Sequence, residues 1–151
     1  IISRHDMGEH QVLTDEDYGQ LLACRDGLRA FFAWGDRQAR QVGITAPQHQ
    51  LLLAIRGHDG SPTVGDVADH LRLRHHSVVG LVDRAELAGL VERDASDADR
   101  RVVRLRLTAD GDATLAALAA AHLEGLGRLS GSSGRLWSGI AQASLPLDAP
   151  P

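Results

Sequence analysis

The hydrophobic spacing of this chain changes from a helical to a β-strand pattern at one place, between residues 90 and 107. Before and after that place, apolar residues recur every three or four positions, which is the spacing of one face of an α-helix. Residues 90–94 and 102–107 instead carry β-forming side chains with partial alternation, and a turn-rich segment separates them. The spacing therefore predicts a mainly α chain that contains one two-stranded β-hairpin.

Four helices are predicted ahead of the hairpin. Three of them follow polar start signals, namely the acidic capping sequence at 14–17 and the threonines Thr45 and Thr63, whose side-chain oxygens accept free backbone N–H groups. Gly43 and Gly89 act as stop signals. The predicted helices cover residues 14–41, 45–56, 63–70 and 75–88.

A long helix rich in alanine and leucine is predicted after the hairpin. It begins at Thr108 and is expected to end near Leu129, because the serines and glycines of 130–134 favour a break. A weaker last helix is predicted for 135–143 and a frayed tail for 144–151. Residues 1–13 are expected to be disordered or an extension.

The order of these elements indicates a winged helix-turn-helix, since two short helices are followed directly by a hairpin. Residues 45–107 are therefore predicted to form a DNA-binding lobe with a β-hairpin wing. The helices of 14–44 and 108–143 are too long for a compact monomer of this kind, and their apolar faces need a partner. We expect these helices to form the dimerisation region of a homodimer, which would match a pseudo-palindromic operator in double-stranded DNA.

Charge is unevenly distributed along the chain. The 151 residues have a formal net charge of −4, which argues against a uniformly basic surface. Between residues 72 and 106, however, there are eight arginines against six acids, and the chain has no lysine. Because guanidinium groups bind phosphate and guanine bidentately, this segment is the expected contact with nucleic acid.

Composition excludes several classes of protein. The single cysteine, Cys24, rules out a disulfide scaffold, and no apolar run reaches the roughly 20 residues that span a bilayer. We therefore expect a cytoplasmic chain with no membrane partner. Common catalytic and nucleotide-binding signatures are absent from the sequence, so neither an enzyme nor a bound cofactor is expected.

Four motifs, in their order and spacing, resemble the multiple-antibiotic-resistance regulator (MarR) family of winged-helix repressors. They are Leu-Val-Asp-Arg at 81–84, Gly-Leu-Val-Glu-Arg at 89–93, Asp-Arg-Arg at 99–101 and Leu-Thr-x-x-Gly at 107–111. The resemblance covers about residues 14–130. It implies a triangular, largely helical homodimer with two winged-helix lobes. Such a homodimer acts as a repressor, and a small effector relieves the repression.

The resemblance also implies roles for single residues. Family members contact base edges and phosphates at the start of the recognition helix, and Arg84 would bind a phosphate or pair with an intramolecular aspartate. In the wing, Asp99 would brace the loop while an arginine enters the minor groove, whose negative potential attracts guanidinium groups. The DNA-binding candidates are Arg74, His75, His76, Ser77, Arg84, Arg100 and Arg101.

Some positions depart from the family's pattern. Arg74 stands where a serine N-cap is common, and Val79 and Gly80 stand at positions that are expected to be exposed and are often polar. His75, His76 and the wing would then carry more of the base recognition. The final helix is also expected to be shorter than the family's usual dimerisation helix.

Four of the five aromatic residues lie in the first helix. Since family members bind small aromatic anions near this helix, the resemblance implies an effector pocket, although each aromatic residue has core packing as its alternative role. The pocket candidates are Phe31 and Trp34, with Arg29, Arg37 or His49 as partners for an anionic group.

Other functions remain open at this point. The winged helix could be a protein-interaction module without specific DNA binding, because a fold does not determine a function. Cys24 could make the chain a redox-sensing regulator, with buried packing as the alternative role of that thiol. Asp66 and His70 lie one helical turn apart, as zinc ligands can, but no metal site is predicted from them alone.

Overall fold

The computed structural model describes residues 12–95 and 102–142, and the side chains of that region as far as residue 127. Within it, helices and strands follow one another in the predicted order, so the mainly α fold with a two-stranded hairpin is confirmed. The elements are α1 (Asp15–Gln41), α2 (Ala46–Gly57), α3 (Val64–Leu71), α4 (His75–Leu87), β1 (Val91–Asp94), β2 (Arg104–Leu107) and α5 (Ala109–Gln142).

The chain divides into two compact units, and the boundary falls between Gly35 and Asp36, inside α1. In the first unit, α1 begins with a reciprocal cap. The backbone N–H of Asp17 donates to Thr14 Oγ1 at 3.3 Å, and the backbone N–H of Thr14 donates to Asp17 Oδ2 at 2.7 Å. This is the predicted helix start, and the bond from the Thr14 backbone lowers the pKa of Asp17.

In the second unit, α2 and α3 begin at the predicted N-caps. Thr45 forms a capping box with Gln48, and Thr63 forms one with Asp66. The Thr63 N–H lies 2.8 Å from Asp66 Oδ2 and lowers the pKa of that carboxyl. A cap of this kind typically stabilises a helix by about 1 kcal/mol, so both short helices have a defined start.

The core of the second unit is built around α2. Leu51 and Leu52 are fully buried, and the helix contacts α3, α4, α5 and β2. The apolar face predicted for α4 is also the buried one, and it consists of Val78, Leu81, Val82 and Ala85. Because α2 contacts each of these elements, it connects the helix-turn-helix to the last helix.

The hairpin pairs Val91 with Leu107 and Asp94 with Arg104 in antiparallel register. A further stretch of backbone joins it, which the spacing did not predict. Thr63 forms an isolated bridge with Arg104, and the Leu105 N–H donates to the Pro62 carbonyl at 2.7 Å. The start of β2, at the loop end of the hairpin, is therefore attached to the residue that caps α3.

The predicted break in the last helix is wrong. α5 runs continuously from Ala109 to Gln142, through the residues 130–134 that were expected to end it. Serine and glycine weaken a helix by at most about 1 kcal/mol each relative to alanine, but they keep the backbone N–H that the helix needs. With no proline between 109 and 142, nothing interrupts the hydrogen-bond ladder, and the expectation of a short final helix is also wrong.

A close backbone contact joins the start of α5 to the residues that follow α4. A Cβ atom at Gly111 would lie 1.9 Å from the Leu90 carbonyl oxygen, so only glycine fits there. Thr108 secures the same junction, because its hydroxyl donates to the Gly89 carbonyl at 2.5 Å and accepts the Gly111 N–H at 3.0 Å. These contacts explain the threonine and glycine of the Leu-Thr-x-x-Gly motif.

We expect Gly111→Ala to lower the free energy of unfolding by about 1–3 kcal/mol, since the new methyl group meets backbone that cannot move aside cheaply. Urea unfolding measures the change. Gly127→Ala, in the same helix with nothing within 4 Å of the new methyl group, is the matched control. It should stabilise the chain by up to about 1 kcal/mol, and equal behaviour of the two variants would contradict the contact.

Candidate nucleic-acid interface

The turn between α3 and α4 is closed by an arginine in a left-handed conformation. Arg72 has φ 54°, and the Leu73 N–H donates to the Ala68 carbonyl at 3.0 Å, which ends α3. A left-handed conformation costs a non-glycine residue about 1–2 kcal/mol, so the surrounding packing holds this turn. After the turn, residues 73–77 are exposed.

The N-terminal half of α4 presents the predicted contact residues to solvent. His75, His76 and Ser77 are exposed, while Val78 is fully buried. Arg74 is the N-cap residue and makes no side-chain capping hydrogen bond. The first turn therefore keeps backbone N–H groups that no cap side chain covers, and such a helix end attracts anions.

Farther along α4, Gly80 lies one turn before Arg84. The Arg84 guanidinium is 3.4 Å from the position that a Cβ atom of Gly80 would occupy, and it forms no ion pair within the described part of the chain. The expectation that Val79 and Gly80 are exposed is wrong, because both are half-buried. Val79 lines a groove with valines that include Val64 and Val102.

The acidic residues of α4 are tied to the first strand by an arginine that the sequence analysis did not single out. Arg93 Nη2 lies 2.6 Å from Asp83 Oδ1, and Arg93 Nη1 pairs with Glu86 Oε2. The hydrogen bond that Arg93 donates to Asp83 and the charge of Glu86 raise the pKa of Arg93 against the effect of burial. The signal in the sequence is two acids three residues apart on α4, followed by an arginine in the next strand.

Two hairpin arginines are also engaged within the protein. Arg106 Nη2 lies 3.0 Å from Asp94 Oδ2, and Arg104 Nη1 donates to the Ser61 carbonyl at 2.9 Å. Among the candidates on α4 and its cap, Arg74 and Arg84 form no ion pair with any described residue. Their charges are therefore the ones offered to solvent on this face.

The wing candidates Asp99, Arg100 and Arg101 lie outside the described residues. Their roles in bracing the wing and in contacting DNA stay predictions.

The effector candidates fall in different units, and each is described in its own. In the first unit, the half-buried rings of Phe31 and Trp34 have centroids 5.8 Å apart. In the second, Arg37 is exposed, and the half-buried His49 ring faces His122 with centroids 4.9 Å apart. Arg29, also in the first unit, pairs weakly with Asp26 at 3.8 Å.

The alternative sites have little support in the described part of the chain. Cys24 is a half-buried free thiol of the first unit. The Asp66 carboxylate accepts two hydrogen bonds from Thr63, and no group of three His, Cys, Asp or Glu side chains converges among the described residues. None of the described helices combines the length and apolarity that crossing a membrane requires.

Comparison with known proteins finds a matching family. The sequence profile of the MarR family matches residues 42–102, the region from the end of α1 to the hairpin. Over this region the chain is similar to the MarR family. The "HTH-type transcriptional repressor MdtR" of Bacillus subtilis is 34% identical over 70 residues, which are 46% of this chain and 44% of that protein. The chain spans less than half the length of the curated relatives it matches.

Solved structures extend the likeness to most of the chain. A structure titled as a MarR family transcription regulator superposes with a TM-score of 0.71 at 25% identity, covering 82% of this chain and 83% of that one. A MepR variant of Staphylococcus aureus, solved bound to an oligodeoxyribonucleotide, has a TM-score of 0.64 at 20% identity and covers 87% of this chain and 96% of that one. At that identity the second comparison concerns the fold alone.

We expect Arg93→Met to lower the free energy of unfolding by about 1 kcal/mol, because it leaves Asp83 and Glu86 without their cation. The loss should be larger in low salt than in high salt, since salt screens partly exposed ion pairs. Urea unfolding at two salt concentrations measures both effects. Arg40→Met replaces an exposed arginine at the end of α1 and is the control; a loss for Arg93→Met no larger than for this control would contradict the role of the ion pairs.

Proposed function

We propose that this chain is a homodimeric, sequence-specific DNA-binding transcriptional regulator of the MarR family that acts as a repressor. One observation carries the proposal. The start of α4 offers Arg74, His75, His76 and Ser77 to solvent at a helix end without a side-chain cap. Cationic and hydrogen-bonding side chains at the start of a recognition helix are suited to base edges and phosphates in the major groove.

The ion pairs of Arg93 support DNA binding indirectly. Asp83 and Glu86 lie on the same helix as the contact residues, and their unpaired charges would repel phosphates. Pairing with Arg93 neutralises one of these charges and moves the acids' hydrogen-bonding oxygens toward the strand. The remaining arginines, Arg74 and Arg84 with the wing candidates Arg100 and Arg101, then provide the attraction to phosphate, which salt would weaken strongly.

The relatives support regulation of transcription. MdtR, which is 34% identical over the matched residues, is named as a transcriptional repressor. Repression relieved by a small aromatic or anionic effector is the corresponding proposal for this chain. Phe31, Trp34, Arg37 and His49 are its candidate contacts.

The exposed apolar side chains of the first unit support a homodimer. Large hydrophobic side chains that are more than half exposed occur in and just before α1, at Val12, Leu13, Tyr18, Leu21, Leu22 and Phe32. A monomer rarely leaves so many apolar side chains together in water, so a second copy is the proposed cover. Two copies would present two α4 helices to half-sites about 34–36 Å apart on a pseudo-palindromic operator.

Selection from a pool of random duplexes tests the function. The protein enriches duplexes of about 30 base pairs, and fluorescence anisotropy then compares the selected duplex with a scrambled version across a salt series. A regulator should prefer the selected duplex by about a thousandfold, with affinity that falls steeply as salt rises. Failure to enrich any duplex, or equal affinity for both duplexes, would overturn specific DNA binding and favour the protein-interaction module.

We expect His75→Ala and His76→Ala to reduce discrimination between the selected and scrambled duplexes by about 1–3 kcal/mol for whichever histidine reads a base pair. Anisotropy on both duplexes measures the change. His58→Ala removes an exposed histidine in the loop after α2 and should leave discrimination unchanged. If both α4 variants lose the same affinity for both duplexes, neither histidine reads bases.

A further inference from the structure

Two histidines face each other where α2 crosses α5. His49 lies in the first half of α2 and His122 lies in the first half of α5, and both are half-buried. Their ring centroids are 4.9 Å apart, with 31° between the ring planes. His49 is therefore close enough to His122 for the charge on one ring to act on the other.

A hydrogen bond determines where His122 carries its proton when it is neutral. His122 Nδ1 lies 2.8 Å from the Leu118 carbonyl oxygen, which can only accept. The proton must therefore be on Nδ1, and Nε2 keeps its lone pair. When both rings are neutral, they can pack against each other in this tilted arrangement without repulsion between charges.

Acid changes this balance. Burial lowers the pKa of His49, the neighbouring His122 lowers it further, and the Asp36 carboxylate opposes both. Among the described residues, these are the titratable groups that act on His49, and they belong to α5 and to the last part of α1. The folded chain thus favours neutral His49, so its contribution to stability is complete above the usual histidine pKa of about 6.5 and is lost as pH falls below it.

The other end of the same helix pair is held by contacts that involve no histidine. Arg56 Nε lies 3.1 Å from Asp112 Oδ1, and the junction of Thr108 and Gly111 with Leu90 follows just beyond. His49 and Arg56 are seven residues apart, about 10 Å along α2. Repulsion between two charged rings would therefore open one end of the contact while the other end remains closed.

We propose that His49 and His122 form an acid-sensitive latch between α2 and α5, and that its opening weakens the binding of DNA by α4. The second half rests on the proposed function. α2 contacts α3 and α4 through its buried face, which includes Leu51, Leu52 and Ile55. A shift of α2 against α5 is therefore passed to the recognition helix.

The DNA interface would respond to acid in the opposite direction. His75 and His76 are exposed on α4, and their protonation adds positive charge next to phosphate, which strengthens binding. The pH dependence of the wild type alone mixes the two effects. A variant that removes the proton site from the latch and leaves α4 unchanged separates them.

Two measurements without DNA test the latch. Urea unfolding from about pH 7.5 to about pH 5 should show a smaller loss of stability in His49→Phe than in the wild type, because phenylalanine keeps a packed ring but cannot take up a proton. His70→Phe, on an exposed histidine of α3, should keep the wild-type profile. In His122→Gln, the His49 ring followed by NMR should titrate at a higher pH, since the neighbouring ring that lowers the pKa of His49 is gone.

The latch is overturned if His49→Phe and the wild type lose equal stability, or if His122→Gln leaves the titration of His49 unchanged. Where one variant fails to fold, the measurement on the other variant decides whether the latch exists.

With DNA, the wild type should lose about threefold more affinity for the selected duplex than His49→Phe does over the same pH range. Equal losses overturn the link between the latch and DNA binding. Absence of specific binding at about pH 7.5 would instead overturn the proposed function, while the unfolding and NMR results still judge the latch.

Discussion

The contact of Gly111 with the Leu90 carbonyl is the constraint on which the second unit depends. It brings the start of α5 against the backbone that leaves α4, at a distance that no side chain permits. Thr108 adds hydrogen bonds on both sides, and the Arg56–Asp112 ion pair joins α2 to the same end of α5. The long last helix is consequently anchored to the helix-turn-helix at its first turn. A displacement of α5 therefore displaces the helix-turn-helix, and the reverse also holds.

The charge presented by α4 depends on which arginines bind groups of the protein and which face solvent. Arg93 and Arg106 form ion pairs with acids of the same chain, and Arg104 donates a hydrogen bond to a backbone carbonyl. Arg74 and Arg84 remain directed to solvent. A chain with a net charge of −4 can in this way present a positive face at the start of α4, because the acids of that helix, Asp83 and Glu86, pair with Arg93.

Much of this architecture could be predicted because the signals are local. Threonine caps, glycine stops and the apolar face of α4 each depend on residues a few positions apart. The bridge between Thr63 and Arg104 and the ion pairs of Arg93 join residues that only the folded chain brings together, and so the sequence analysis missed them. The error at 130–134 has another cause, since propensity treats serine and glycine as breakers although a continuous helix loses little by including them.

The double role of Thr63 limits how this chain can vary in length. Thr63 caps α3 through its side chain and pairs with Arg104 through its backbone, so the start of a helix and the start of β2 depend on one residue. An insertion between Pro62 and Val64 would move both out of position at once. The preceding loop at 58–60 is exposed and contains Gly60 at φ 82°, and it neither caps α3 nor pairs with the hairpin. We therefore expect that loop to accept a change of length without moving the hairpin relative to α3.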